Sequence, residues 1–388
     1  MNYDPIADID SRFFRERGKR PVVPLRERRL LSALLRQPNL QRAELAEILD
    51  IDGDTFHALI MDLCERRLMR LGEPEATASG GKSSPKLLLN ARYCCSIGIA
   101  VHTDHACVAL MDFAGGVWTR FLCISGQGRD DTLSSIDGEI TSLLLETGFA
   151  RDHIFGLGFC LDGQVLDRTS FSAHPALKQW SKVHVGPLLS QWYDLPIWTE
   201  TAAHAAALCE ARFGAGRKLD TFVHLSIGRS LACGLVVDGS LTRGAFGNAG
   251  VLDSLLNTGD ATSEPSLHGL LANLKQHGAS VDDLGAVTEG INLRTPGVSQ
   301  WLDQSAPSLH RILSVLTGVV DPKAIVLGGR IRKNLAKALV KRTQSLGPIA
   351  GRDKQHAPGL LVTEMPPEAA AIGAAGVPLE RVFFSPST

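Results

Sequence analysis

The chain has 388 residues, of which 44% are apolar and 21% carry a charge. This composition is typical of a soluble globular protein, and the length predicts two or three domains. The formal net charge of −1 excludes a global attraction to nucleic acid, so DNA binding would need a local cluster of basic residues. No apolar run is long enough to span a membrane and no signal-peptide pattern opens the chain, which predicts a cytoplasmic location.

The eight cysteines lie mostly in apolar runs without CxxC spacing, which predicts reduced, buried thiols rather than disulfides. None of them follows Cys233, so a cysteine zinc site beyond that residue is excluded. His268 and His277 alone make a weak case for a metal site. We therefore expect no metal and no other cofactor.

The N-terminal segment is strongly basic. Residues 12–29 carry eight Lys or Arg against two Glu, and Pro21 and Pro24 interrupt any helix. We predict that residues 1–24 form a flexible basic arm that contacts DNA phosphates. A solvated tail without a partner would explain the same composition equally well.

Three short helices are predicted after the arm, at residues 30–38, 42–50 and 54–66. Asp52 or Asp54 is expected to cap the third helix. The residues predicted to face inward are Leu30, Leu31, Leu34, Leu35, Leu45, Ile48, Leu49, Phe56, Leu59, Ile60 and Leu63.

Two extended runs around a Gly/Ser-rich tip follow, at residues 68–74 and 80–90. Three helices and such a wing are the outline of a winged helix-turn-helix, whose last helix enters the major groove. The phrases QRAELAEIL, DTFHALI and ERRLM, with the glycine-rich wing, resemble the winged helix of the ROK family (repressors, open reading frames, kinases). The resemblance implies a DNA-binding domain over residues 25–90. The residues that we expect to contact DNA are Arg42, Thr55, His57, Lys82 and Lys86.

The charge balance of this segment weighs against DNA binding. Between Arg42 and Leu71 there are seven acidic residues and four arginines. Carboxylates close to phosphates repel them, and only a few have a use at base edges or helix ends. A retained structural or interaction module is therefore the alternative.

The rest of the chain predicts a repeated α/β unit. Residues 92–125 predict three strands in hairpins, followed by a helix at 132–148 and a strand at 153–166. Similar elements recur in TFVHLSIGR and LACGLVVDGSL. Two copies of one unit predict two lobes with a ligand-binding cleft between them. The predicted class is α/β, with a two-lobed actin-like (ribonuclease-H-like) fold after the winged helix-turn-helix.

Several phrases across residues 92–388 also resemble the ROK family, among them LPIWTETAAHAAALCEARFGAG, LSIGRSLACGLVVDGSLTRGAFGNAG, DPKAIVLGG and AAIGAAG. The resemblance implies a sugar-kinase ATPase fold over residues 91–388. Its first lobe is expected at about residues 91–199 plus 370–388, and its second at about residues 200–369.

The residues that phosphoryl transfer needs are missing where the resemblance places them. Ala202 stands in place of the Asp that accepts the sugar hydroxyl proton, and His204 is expected to be structural. The two phosphate loops, at residues 100–106 and 228–234, have lost glycines that would let backbone amides approach phosphate. Asp104, in the first loop, is expected to be a polar turn residue. The chain is therefore expected not to be an enzyme, and no residue is predicted to be catalytic.

The sugar-binding positions are altered as well. Val251 and Ser254 stand where the resemblance places the Glu and His that hold sugar hydroxyls. The residues expected to line an effector pocket are Glu200, Thr201, Asn248 and Arg229. We expect a sugar or sugar derivative to bind there weakly, with Arg229 either holding an anionic ligand or pointing to solvent.

These features favour a DNA-binding transcriptional regulator, a repressor of carbohydrate-related genes, with a catalytically dead sugar-kinase-like domain for dimerisation and effector sensing. We expect it to bind a double-stranded DNA operator as a homodimer or higher homo-oligomer, associated with the nucleoid when bound. One alternative is a protein that no longer binds DNA and acts through protein partners or heterodimers. The least supported alternative is an active sugar kinase.

Overall fold

The computed structural model describes residues 23–38, 40–73, 85–167, 169–256, 261–279, 281, 290–351 and 356–384. Within them the helices are α1 (Leu25–Arg36), α2 (Arg42–Leu49), α3 (Gly53–Glu65), α4 (Arg129–Thr147), α5 (Val185–Tyr193), α6 (Ala202–Phe213), α7 (Asp253–Leu256), α8 (Leu267–Gln276), α9 (Val298–Val320), α10 (Lys333–Gln344) and α11 (Ala369–Phe383). The strands are β1 (Met69–Leu71), β2 (Leu87–Leu89), β3 (Cys95–Val101), β4 (His105–Asp112), β5 (Val117–Cys123), β6 (Ile154–Leu161), β7 (Gly163–Asp167), β8 (Ser170–Ala173), β9 (Ile197–Thr201), β10 (Phe222–Ile227), β11 (Leu231–Val237), β12 (Ser240–Thr242), β13 (Ala324–Gly329) and β14 (Gly359–Val362). The predicted arm, apart from Val23 and Pro24, and the wing tip with Lys82 lie outside the described residues.

The N-terminal module consists of α1, α2, α3 and the antiparallel pair β1–β2. Its buried apolar residues include Leu30, Leu31, Leu34, Leu45, Leu49, Phe56, Ile60, Leu63, Leu68, Met69, Leu87 and Leu89. Helix α1 begins at Leu25, before the predicted start, so Pro24 bounds the helix instead of interrupting it. The prediction that Ile48 faces inward is wrong, because Leu45 and Leu49 already supply the buried face of this short helix and Ile48 is 49% exposed.

Two five-stranded sheets form the two lobes. The strand order is β5-β4-β3-β6-β9 in the first and β12-β11-β10-β13-β14 in the second. In each sheet the leading strand, β3 or β10, pairs antiparallel with its hairpin partner and parallel with a later strand. The lobes therefore repeat one topology, which confirms the predicted repeat and the two-lobed fold.

The single strand predicted over residues 153–166 is in fact two strands. β6 stays in the first sheet to Leu161, whereas β7 begins at Gly163 and pairs antiparallel with β8. A β-carbon on Gly163 would lie 2.6 Å from the carbonyl oxygen of Ser172, so glycine permits the close pairing. The break at Asp162 carries β7 and β8 out of the sheet to the wall of the cleft.

Helices α6 and α11 join the lobes. A β-carbon on Gly158 in β6 would lie 1.9 Å from the carbonyl oxygen of Ala374 in α11, and one on Gly373 in α11 would lie 1.8 Å from that of Ala205 in α6. These small residues let α11 pack directly on the first sheet and on α6. Helix α6 follows β9 of the first sheet and also packs against β11 of the second, so it continues from one lobe into the other.

Helix α1 contacts both lobes. The guanidinium of Arg28 donates to the carbonyl oxygens of Phe384 and Glu380, at 3.0 and 3.1 Å, at the end of α11. From the second lobe, Arg217 donates to the carbonyl oxygen of Arg36 at 2.8 Å. These bonds occupy C-terminal carbonyls that a helix cannot satisfy internally. The N-terminal module is therefore packed against the lobes and not only tethered to them.

Candidate functional site

A cavity of about 440 Å³ lies between the lobes. Its walls come from the β3–β4 turn, the β7–β8 pair, the start of α6, the β10–β11 turn, residues 247–253 and the segment before α8. The two turns join corresponding strands of the repeated sheets, so each lobe contributes the same element to the cleft. Clefts of this volume between lobes are typical small-molecule sites.

The first of these turns is closed by an ion pair between the lobes. Arg330, which follows β13 of the second lobe, donates to both carboxylate oxygens of Asp104 at 2.8 and 2.9 Å. Both side chains are largely buried, with 10% and 17% exposure. The expectation that Asp104 is only a polar turn residue is therefore too weak, since it joins the two lobes.

Two histidines complete this closed turn. His105 Nδ1 lies 3.0 Å from Asp104, His102 Nδ1 lies 2.8 Å from Asp162, and the two rings stack at 4.5 Å. Burial would raise the pKa of Asp104, but its hydrogen bonds from His105 and Arg330 outweigh burial and hold that pKa well below its usual range. Burial lowers the pKa of His105 to about 4. The resemblance places the first phosphate loop at this turn, where the carboxylate of Asp104 and the guanidinium of Arg330 now bind each other across the cleft.

The second turn presents Arg229 to the cavity. Its Nε donates to Nε2 of His174 at 3.0 Å, and no described carboxylate lies within ion-pair distance of it. Nδ1 of His174 already accepts a hydrogen bond from the backbone N–H of Ala176 at 3.1 Å. A neutral imidazole accepts at one nitrogen only, so both bonds cannot be made at once.

Glu200, which was predicted to line an effector pocket, is not among the residues that line this cavity. Its buried carboxylate lies behind the cavity wall and accepts from Arg243 Nε at 2.7 Å, with His204 Nδ1 at 3.6 Å on the other side. Burial would raise the pKa of Glu200, and His204 and Arg243 together lower it instead. His204 Nε2 lies 2.8 Å from the carbonyl oxygen of Ala249, which is the bonding of a structural histidine.

Thr201, Asn248 and Arg229, the other predicted pocket residues, do line the cavity. The hydroxyl of Thr201 caps α6 by accepting from the backbone N–H of His204 at 3.2 Å. The amide of Asn248 is committed to the backbone of Val165, accepting from its N–H and donating to its carbonyl, each at 2.7 Å. Asn248 is therefore a clamp between the lobes, which leaves it little capacity for a ligand.

The sequence reasoning missed most of the polar residues of the cavity. These are the carboxylates of Asp162, Asp253 and Glu264 and the rings of His174 and His268. They come from separate loops that only the packing of the two lobes brings together, so no local motif marks them. The strand break after Leu161 was the one available signal, because it places a polar residue at a strand end. Among the described residues, no group of three His, Cys, Asp or Glu could hold a metal ion.

The candidate DNA-binding surface is the start of α3. Asp52 caps this helix, accepting from the Thr55 backbone N–H at 2.9 Å and from its hydroxyl at 2.7 Å. The hydroxyl hydrogen of Thr55 is thereby used, so Thr55 can offer only an acceptor to a base edge. His57 is exposed on the next part of the helix.

The basic residues predicted beside α3 have different surroundings. Arg42, at the first position of α2, is half-buried, and its Nε has no hydrogen-bond partner. Lys86 lies at the start of the second wing strand, where its carbonyl accepts from Gly72 N–H at 2.8 Å. Arg42 therefore has a buried nitrogen, Nε, that donates no hydrogen bond within the described residues.

Several carboxylates that weighed against DNA binding have structural partners. Glu44 accepts from the backbone N–H of Gln41 at 2.7 Å at the start of α2, and Asp52 caps α3. Asp62 accepts from Arg66 at 2.7 Å, and Arg66 also donates to Glu27 at 2.9 Å. The local excess of acidic residues is thus explained in part by helix ends and one ion-pair cluster.

The fold and the cleft define the class of protein, a two-lobed actin-like domain of the sugar-kinase type that follows a three-helix module with a two-stranded sheet. The sequence profile of the ROK family matches residues 97–252, in the first lobe and the start of the second. This match identifies residues 97–252 as a ROK family domain.

Two sequence relatives extend this result. The chain is 29% identical over 377 residues, or 94% of each chain, to the uncharacterized protein y4fQ of Sinorhizobium fredii (strain NBRC 101917 / NGR234). It is 23% identical over 231 residues to the xylose repressor of Bacillus subtilis (strain 168), a match that spans 59% of each chain.

Two solved structures share the fold. A ROK family transcriptional regulator, a homolog of the E. coli MLC protein, has a TM-score of 0.63 at 17% identity and covers 97% of this chain and 96% of its own. A ROK family glucokinase from Streptomyces griseus, in complex with glucose and AMPPNP, has a TM-score of 0.61 at 19% identity and covers 73% and 98%. At these identities both likenesses concern the fold alone. No helix among the described residues is long and apolar enough to cross a membrane.

Proposed function

We propose that this chain is a DNA-binding transcriptional regulator, a repressor of carbohydrate-related genes, whose two-lobed domain binds an effector without phosphorylating it. The observation that carries the proposal is a third helix with an exposed face, in a chain whose cleft has an alanine where the resemblance places the general base. His57 at the start of α3 is exposed, while Ala202 contributes only a methyl group to the cleft. The similarity to the xylose repressor, and to a regulator structure over nearly the whole chain, supports the same conclusion.

The packing of α1 suits a regulator, because a change in the angle between the lobes would reach the DNA-binding module. Arg28 holds α1 to the first lobe through the end of α11, and Arg217 holds it to the second lobe. An effector that changes the relation of the lobes must therefore strain or release one of these bonds. We propose that effector binding alters DNA affinity by this route.

The proposed division of labour on DNA separates base contacts from phosphate contacts. His57 and the acceptor of Thr55 face base edges, whereas Arg42, Lys82, Lys86 and the arm of residues 1–24 contact phosphates. As a homodimer the chain would read two half-sites with centres about 34–36 Å apart along the DNA.

Fluorescence anisotropy with the DNA upstream of its own gene tests this proposal at several salt concentrations. We expect the Arg42→Gln variant to weaken binding to all sequences and to lower the salt slope by about one unit. We expect His57→Ala to weaken binding to the preferred site by about 10- to 100-fold and to relax sequence preference at one position. Arg120→Gln, which removes an exposed arginine of β5 in the first lobe, is the matched control and should change neither.

If the full chain shows no sequence-dependent binding at low salt, the DNA-binding proposal fails. A protein that acts through protein partners would then be the better account, since the exposed apolar residues Ile48 and Met61 of the N-terminal module would suit such a contact. Lack of an effect from Arg42→Gln alone would instead remove Arg42 from the DNA interface.

A further inference from the structure

We propose that the cavity binds a sugar acid, a small polyhydroxylated molecule with one carboxylate, and that the carboxylate is held by Arg229. This inference deepens the proposed function and rests on its claim that the cleft binds an effector.

Arg229 lines the cavity and differs from two arginines nearby, Arg330 and Arg243, because no described carboxylate pairs with it. Arg330 is paired with Asp104 and Arg243 with Glu200, so each of these charges is neutralised within the protein. In the described part of the chain no Asp or Glu lies within 4 Å of the Arg229 guanidinium, although it is half-buried and lines the cavity. A guanidinium in this position presents two parallel donors, which match the two oxygens of a carboxylate.

The contact of Arg229 with His174 does not satisfy it. His174 is held by the N–H of Ala176 at Nδ1, so a neutral ring carries its proton on Nε2 and faces the Nε–H of Arg229 with a second donor. Burial and the charge of Arg229 both lower the pKa of His174, so an additional proton on the ring offers no relief. A ligand carboxylate between the two side chains would accept from both donors and remove the conflict.

The remaining polar groups of the cavity favour hydroxyl groups. Asp162, Asp253 and Glu264 bring three carboxylates to its walls, and carboxylates are acceptors for sugar hydroxyls. The same three charges repel a second negative charge on the ligand. A phosphate carries about −1.5 to −2 charges at pH 7, whereas a carboxylate carries one, so the balance of charge favours the sugar acid over the sugar phosphate.

Calorimetric titration of the full chain without DNA tests the proposal. The probes are matched sets of a neutral hexose, its uronate and its 6-phosphate, taken from the glucose, galactose and mannose series. We expect at least one uronate to bind at least tenfold more tightly than its hexose and its phosphate. No uronate binding up to millimolar concentration, or tighter binding of the hexoses or the phosphates, would overturn the proposal.

Variants identify the residue responsible. Arg229→Gln should lose the tenfold preference for the uronate and leave the affinity for the neutral hexose unchanged within about twofold. Arg120→Gln, on the outer strand β5, should leave both affinities unchanged. If Arg229→Gln retains the preference, Arg229 is not the anion-binding residue and the proposal is contradicted. Failure of this test leaves DNA binding untouched, and failure of the DNA test leaves this titration untouched, so the two proposals can be separated.

Discussion

The two hairpin turns that face the cleft occupy equivalent positions in the repeated sheets and carry opposite charges. The β3–β4 turn holds a carboxylate, Asp104, that is neutralised by Arg330 from the other lobe. The β10–β11 turn holds Arg229, for which the described residues provide no carboxylate. The charge at the first turn therefore ties the two lobes together, whereas no described carboxylate pairs with the charge at the second turn.

Other polar residues near the cleft are also bonded within the protein. Glu200, His204 and Asn248 bind protein groups, and Asn248 bridges the lobes just as the pair Asp104–Arg330 does. At the second turn, by contrast, Arg229 lines the cavity with no described carboxylate within ion-pair distance. We therefore expect substitutions near the first turn to change stability and those near the second turn to change ligand binding.

The largest expected effect on stability comes from breaking the ion pair between Asp104 and Arg330 at the β3–β4 turn. Arg330→Met leaves the buried carboxylate of Asp104 unpaired and should lower the free energy of unfolding by about 3–5 kcal/mol, measured by urea denaturation. Arg120→Met removes an exposed partner of Glu146 and should cost about 1 kcal/mol or less. Adding Asp104→Asn to Arg330→Met should restore part of the loss; equal losses for the buried and exposed arginines would contradict the comparison.

The next largest loss of stability is expected from removing the hydrogen bonds of Asn248. Asn248→Ala removes two hydrogen bonds to Val165 and leaves its backbone N–H and carbonyl without these partners. We expect a loss of about 1–3 kcal/mol in the same denaturation experiment. Asn334→Ala, whose side chain only bonds the next residue at a helix start, is the control and should stay within about 0.5 kcal/mol. A neutral result for Asn248→Ala would show that the clamp does not hold the lobes together.

A smaller effect is expected from pH. His105, which faces Asp104, His102 and Arg330, has a folded-state pKa of about 4, below the ordinary 6.5. Between these values the unfolded chain binds a proton that the folded chain does not, so stability falls as pH falls, by at most about 1.4 kcal/mol per pH unit. The lowered pKa of Asp104 acts in the same direction at still lower pH, since stability from a paired carboxylate is lost when it is protonated.

Denaturation midpoints between pH 7 and 4 measure this slope. His105→Phe should make it shallower, while the exposed His153→Phe should leave it unchanged. His224, buried in the second lobe with a pKa also lowered to about 4 by burial, should contribute a similar slope that His105→Phe does not remove. An unchanged slope in His105→Phe would show that this ring does not titrate as the structure indicates.

The smallest expected effect on stability comes from replacing Arg229 in the β10–β11 turn. Arg229→Met should change the free energy of unfolding by no more than about 0.5 kcal/mol, because no protein carboxylate loses its partner. The measurement is the one used for Arg330→Met, which makes the two turns directly comparable. A loss above about 1 kcal/mol would mean that Arg229 is a structural tie like Arg330.

The sequence alone predicted the features that follow from local hydrophobic patterns and from the repeated order of elements. Helical periodicity and the recurrence of TFVHLSIGR after CCSIGIAVH predicted the three helices, the hairpins and the two lobes. The sequence did not predict that Ile48 is exposed or that the strand breaks at residue 162. Both features depend on tertiary packing: the first on which face of a short helix is buried, the second on where β7 leaves the sheet. The sequence also did not predict that Arg243 binds Glu200 or that Arg330 binds Asp104, because these partners are separated by tens to hundreds of residues and share no motif.

The domain boundaries at residues 24 and 90, and the contacts of Lys82 and the arm with DNA, stay predictions. The central claim, that the cleft has exchanged phosphate binding for ties between the lobes and an effector site, can be tested most directly with the nucleotide. The measurement is a calorimetric titration of the full chain with Mg²⁺–ATP, with and without a hexose. The account predicts no saturable heat up to millimolar nucleotide, because Asp104 and Arg330 occupy the first phosphate turn. Saturable binding in the micromolar range, or a hexose phosphate formed in the same cell, would contradict it.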